Sequence, residues 1–156
     1  MRVRRPSRAA RMAALALAAG VPACGGDEGT TPSTVPTRTQ IGGGTFVVLG
    51  TEEANRLGFN ADVAAGPFAV ANGGTMEITA DWTSPANNID LFLYLGSCSS
   101  EQARNGQCAI ANRTTSTTAK PERLSVIGVP AGNYSIGFAN FGLTSESGTF
   151  EVHLTR

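Results

Sequence analysis

The chain has 156 residues, twelve basic and twelve acidic, with many Gly, Thr and Ser and few charges; its length suits one domain and its composition a β-rich exported protein. Five of the basic residues (Arg2, Arg4, Arg5, Arg8 and Arg11) crowd the first eleven positions, leaving seven basic against twelve acidic side chains elsewhere, a net charge of −5. The remaining Lys and Arg are scattered, so the electrostatic footprint of a nucleic-acid-binding protein is missing and that partner class is excluded.

The arginine-rich head runs into a short apolar stretch, Met12–Val21. A basic head before roughly ten apolar residues is the pattern of a secretory signal and is too short for a permanent membrane span. Arg4-Arg5 hints at twin-arginine export, but Pro6 follows at once and the hydrophobic residues of that motif are missing. The stretch ends in Val21-Pro22-Ala23-Cys24, which resembles a bacterial lipobox; Val21 and Ala23 fit, and Pro22 is uncommon at its position. The resemblance implies cleavage before Cys24, a signal peptide over residues 1–23, and membrane attachment through lipid on the Cys24 sulfur. The alternative is an ordinary signal peptide cut after an alanine, with Cys24 a free thiol. Cysteine parity favours lipidation, because it leaves Cys98 and Cys108 as a pair. One acyl chain anchors marginally and two or more hold stably. Gly25 after the cysteine, in place of Asp, resembles lipoproteins sorted to an outer membrane, so the expected location is the cell envelope. Residues 24–40, rich in Gly, Thr, Ser and Pro, form a tether that buries too little to offset the entropy of ordering. Its reach is roughly 20 Å as a flexible coil.

The folded domain is expected over residues 41–156. Thr45–Leu49 is a β-branched and aromatic run after three glycines and predicts a first strand. Thr51–Gly66 is ambiguous between one helical turn and a loop crossing the end of a sandwich, the loop being the simpler reading. Pro67–Ala71 predicts a second strand. From Gly73 to Gly96 the chain reads as two strands joined by a turn-forming loop at Thr83–Asn88, locally like an amphipathic hairpin. Met76, Ile78, Ala80 and Trp82 share one parity, and Ile89, Leu91, Leu93 and Leu95 another, so each set faces a core.

Cys98 and Cys108 bracket a polar segment, and in an exported chain this spacing predicts a disulfide. A metal site needs more ligands, and His153, the one histidine, is remote in sequence. Further strands are expected at Cys108–Asn112, at Glu122–Val129, from Tyr134 with Ile136 and Phe138 inward, and at Gly148–Thr155 with Phe150, Val152 and Leu154 inward. Seven or eight short strands between turn signals make an all-β, antiparallel, jelly-roll-like sandwich.

Four segments, GGTMEITADW, NNIDLFLYL, ERLSVIGVPAGNYSIGFANFG and GTFEVHL, resemble the bacterial pre-peptidase C-terminal domain. The resemblance covers about Thr45 to Thr155, with Trp82 ending one strand and Ala131 to Tyr134 matching the family's Ala-Gly-Asn-Tyr turn. It implies a non-catalytic jelly-roll-like sandwich of the kind appended to secreted proteases, some members of which bind calcium or hold insoluble substrates. Where that pattern has a first Asp, this chain has Asn88.

No constellation for catalysis is found, and the chain is not expected to be an enzyme. Asp81 and Asp90 flank the Thr83–Asn88 loop, with Asn87 and Asn88 nearby. Calcium takes six to eight oxygens, so this set is thin; a polar loop is expected, with no metal and no cofactor. Asp90, Phe92 and Tyr94, on the parity opposite the core, are the candidate ligand face. Exposed, the rings are a platform for an envelope protein or polysaccharide; the simpler expectation is that Thr51–Gly66 or the disulfide loop covers them. The functional expectation is a binding or interaction module at the cell envelope, with a purely structural lipoprotein or an accessory subunit of a secreted hydrolase as alternatives.

Overall fold

The structure is a computed structural model that describes residues 35–114, 116 and 119–156. The signal peptide, Cys24 and most of the tether lie outside the described residues. Eight strands form: β1 (Arg38–Val48), β2 (Asp62–Val70), β3 (Gly74–Trp82), β4 (Ile89–Leu95), β5 (Ile110–Arg113), β6 (Glu122–Val129), β7 (Gly132–Asn140) and β8 (Glu146–Thr155). Two short helices interrupt them, α1 (Thr51–Leu57) and α2 (Ser100–Arg104). The strands make two four-stranded sheets, ordered β1-β8-β3-β6 and β2-β7-β4-β5, and every pairing is antiparallel.

The pairings have a simple logic. β1 pairs with β8, β2 with β7, β3 with β6 and β4 with β5. The chain is therefore doubled back on itself about the β4–β5 connection, and successive pairs of the doubled strand fall alternately into the two sheets. That is the jelly roll, a double Greek key closed into a sandwich. The faces between the sheets carry the apolar parity: Met76 and Ile78 from one sheet, Leu91, Leu93, Ile136 and Phe138 from the other, are each at most 1% exposed. Phe46 on β1 stacks on Phe138 on β7 across the gap, centroids 4.3 Å apart and planes within 6°.

Several boundaries differ from expectation. The Gly73–Gly96 stretch is not a hairpin: β3 and β4 lie in different sheets and face each other across the core. Trp82 is buried as expected, its indole N–H donating to the Asn87 carbonyl at 3.1 Å. Leu95, expected inside, is 54% exposed, because the chain leaves the sheet at Gly96 (φ 74°). β1 starts at Arg38 and absorbs the end of the expected tether and the three glycines. Gly42 is there for space: a Cβ on it would collide with the Phe68 ring. The second strand begins at Asp62, with a register shift between Ala65 and Phe68. Thr51–Leu57 is a helix and not a loop; it is capped by Gly50 and ended by Gly58 at φ 80°.

One buried polar residue ties the crossover between the sheets. Glu146, 6% exposed, opens β8 and accepts hydrogen bonds from the amides of Thr83 (3.3 Å), Ser84 (3.0 Å) and Ser147 (3.0 Å) and from the Asn87 side chain (2.9 Å). Burial works to raise its pKa, but these four donors outweigh it and hold the carboxyl below the ordinary glutamate range. A carboxyl with a lowered folded pKa contributes stability above its unfolded pKa and loses that contribution as the pH falls. Glu146→Gln is therefore expected to cost about 1–3 kcal/mol at neutral pH, read from urea midpoints, with the difference shrinking in acid. An equal loss at pH 7 and pH 3 would show that the charge is irrelevant.

Candidate functional site

Asp90, Phe92 and Tyr94 do share the outer face of the β2-β7-β4-β5 sheet, opposite Ala139, Gly137 and Ser135 of β7, but they do not form an open ligand face. Cys98 and Cys108 are disulfide-bonded, with Cα atoms 5.8 Å apart, and the loop they close carries α2. Ser99 caps that helix in a reciprocal capping box with Gln102. The loop is pinned down: the Cys98 amide donates to the Ser135 hydroxyl (3.0 Å), which donates to the Gly96 carbonyl (3.0 Å), and the Ala64 amide donates to the Ser100 hydroxyl (3.1 Å). Beneath it Tyr94 packs with Cys98 and Ala103 and is 4% exposed. Its ring lies over Gly137, where a Cβ would come within 2.5 Å of the ring. Burial, and the neighbouring Asp62 carboxylate after it, push the Tyr94 hydroxyl up to about 12.

Asp90 is covered as well. Its carboxylate accepts from the Asn88 side chain at 3.3 Å, and burial raises its pKa against the Asn88 bond and the Arg113 charge. Its acidic neighbour is the buried Glu122, whose carboxyl is raised by burial and by Asp90, against a bond from Thr114. Asp81 lies elsewhere, paired with Lys120. The two aspartates considered for calcium therefore have other partners, and among the described residues no group of three or more His, Cys, Asp or Glu side chains is placed to hold a metal.

Phe92 is the member of the trio that keeps access to solvent. It is half-buried, stacked on Tyr94 at 6.0 Å between centroids, and it lines a cleft of about 250 Å³ at the α1 end of the sandwich. Phe141, 58% exposed, stands at the rim. The facing wall carries Asn55 from α1, and Asn60 and Asp62 from the entry to β2. The side-chain amides of Asn55 and Asn60, both exposed, and the Asp62 carboxylate have no hydrogen-bond partner among the described residues. Burial pushes the Asp62 carboxyl up to about 6.

Buried Asn140 sets the shape of this end. Its side-chain amide donates to the carbonyls of Leu49 (3.1 Å) and Thr144 (2.8 Å), and its oxygen accepts from the Gly142 amide (2.8 Å). The Gly142 carbonyl in turn accepts from the Thr51 amide (2.9 Å) and hydroxyl (3.0 Å), fixing the start of α1. A wider depression of about 510 Å³ lies on another side of α1, against Leu143–Ser145. Glu53 there is already paired with the Ser145 hydroxyl and Arg56, so the Phe92 cleft is the stronger candidate. Sequence reasoning reached Phe92 and missed Phe141, Asn55, Asn60 and Asp62; only the helical register of Thr51–Leu57 hints that Asn55 stands beside Thr51.

No family model matches the sequence, and no curated protein matches it. Among solved structures the chain is similar to the Yersinia pseudotuberculosis-derived mitogen (YPM), with a TM-score of 0.48 and 12% identity over 77% of this chain and 87% of that one.

Two outcomes check this geometry. Replacing both Cys98 and Cys108 by Ala should cost about 2–3 kcal/mol by loosening the closed loop, and should raise amide exchange over residues 97–108 and make Tyr94 accessible to nitration. Unchanged Tyr94 reactivity would mean that α2 covers it without the bond. Asp62 obeys the opposite sign to Glu146: a carboxyl raised from 3.8 to about 6 favours folding only while protonated, an advantage complete below the unfolded pKa and lost as the pH passes through about 6. Asp62→Asn should therefore gain urea stability over the wild type between pH 4 and 7. A constant difference across that range contradicts the assignment.

Proposed function

We propose that this protein is a non-catalytic binding module, exported and held at the cell envelope by lipid on Cys24, that presents the Phe92 cleft to an envelope component. The observation that carries the reading is the cleft itself: an aromatic floor and rim facing three polar groups with no internal partner. Binding sites combine apolar surface with a few convergent polar groups. The Cys98–Cys108 disulfide accords with an oxidising, exported compartment, and the lipobox-like Val21–Cys24 supplies the anchor. The resemblance to the pre-peptidase C-terminal domain accords with a role in holding a ligand and not in turning one over.

The anchor and the cleft are tested together in intact cells. Mass spectrometry of the mature chain should find Cys24 at the N-terminus carrying acyl groups, and Cys24→Ser should release the protein from the membrane fraction. A photo-crosslinking residue in place of Phe141 should form a discrete adduct that the same residue in place of Ile127, 85% exposed on β6, does not. An unmodified Cys24 removes the anchor from the proposal, and equal labelling from the two positions removes the cleft.

A further inference from the structure

The geometry points to a neutral hexopyranose ring of a polysaccharide as the occupant of the Phe92 cleft, an inference that rests on the binding-module reading. Size comes first. Sites for drug-sized molecules have volumes of about 300–1,000 Å³, and a cleft of about 250 Å³ suits one small ring with the rest of its chain outside. Chemistry comes second. An aromatic face carries partial negative charge, and the C–H bonds on one face of a hexopyranose present partial positive charge to it. Phe92 and Phe141 supply such rings at the floor and rim.

The polar wall matches the edge of the same ring. Each ring hydroxyl both donates and accepts. An Asn amide does the same through separate atoms, and an ionised carboxylate accepts only. Asn55, Asn60 and Asp62 thus offer donors and acceptors to neighbouring hydroxyls, with no internal partner to give up.

Charge in the lining itself favours a neutral ring over acidic sugars and phosphate-bearing ligands. No Lys or Arg lines the cleft, Asp62 is its one ionisable group, and residues 35–156 hold seven basic against ten acidic side chains. An anion entering would meet the Asp62 carboxylate first; Arg104, whose Nε donates to the Asp62 carbonyl, and Arg113, opposite Phe92 on β5, stand outside the lining. A flat protein partner fits less well, because the cleft lining beside Phe141 carries the polar Thr51, Asn55 and Asn140.

The test uses the full-length mature chain in detergent micelles and ligand-observed saturation-transfer NMR with cellotetraose, mannotetraose and chitotetraose, plus an oligogalacturonate as the acidic comparison. At least one neutral oligosaccharide should receive saturation, with a dissociation constant on the order of 1 mM, and the oligogalacturonate should not. Phe141→Ala and Asn60→Ala should each weaken binding by about tenfold. Phe141→Tyr should retain it, as should Leu143→Ala, which lines the depression on another side of α1. Preference for the acidic sugar, or equal loss in Leu143→Ala, overturns the inference. No saturation of any sugar, with a discrete protein adduct from position 141 in cells, overturns the sugar assignment and leaves the binding module standing. No saturation and no adduct removes both.

Discussion

The α1 end of the sandwich depends on two buried polar side chains, Asn140 and Glu146, at the end of β7 and the start of β8. Burying such groups is costly unless they are hydrogen-bonded, and here nearly every bonding position is taken. Asn140 gathers Leu49, Gly142 and Thr144; Glu146 gathers Thr83, Ser84 and Asn87. Three separate chain segments, the entry to α1, the 141–145 loop and the crossover between the sheets, are thereby locked to one frame. Apolar packing is non-directional and tolerates many loop paths, whereas hydrogen bonds demand distance and angle. The positions of α1 and Phe141, and so the cleft, follow from this pair more than from the core.

The doubled-back chain sets the larger frame. Its innermost pair, β4 and β5, is separated only by the disulfide-closed loop, and its outermost pair, β1 and β8, joins the two ends of the domain. The turn of the doubled strand is also the element that lies over Tyr94. One covalent bond thus serves both the topology and the cover of the outer face.

Much of the fold was legible because the fate of a strand face is a local matter. Alternation at Met76–Trp82, at Tyr134–Phe138 and at Phe150–Leu154 marks the buried side whatever the partner strand. Sheet membership was not legible: β3 and β4 are neighbours in sequence, and their assignment to opposite sheets is decided by β8 and β7. Gly42–Gly44 precedes the strand expected from Thr45, yet it lies within β1, where the Phe68 ring takes the room that a Cβ on Gly42 would need. Phe92 and Tyr94 are alike in parity and chemistry; the placement of Ala103 over one of them separates a cleft wall from a core residue. Asn55, Asn60 and Asp62 look like ordinary surface positions, since what marks them is the lack of an internal partner, a property of the assembled fold.

The register of β1 has one more consequence. Thr37 and Arg156 exchange backbone hydrogen bonds at 2.9 and 3.1 Å where β1 begins, and the cleft lies past Val48, where β1 ends. Ten residue steps at about 3.3 Å put about 30 Å between them. The Thr37–Arg156 pair and the Phe92 cleft thus mark opposite ends of the same strand.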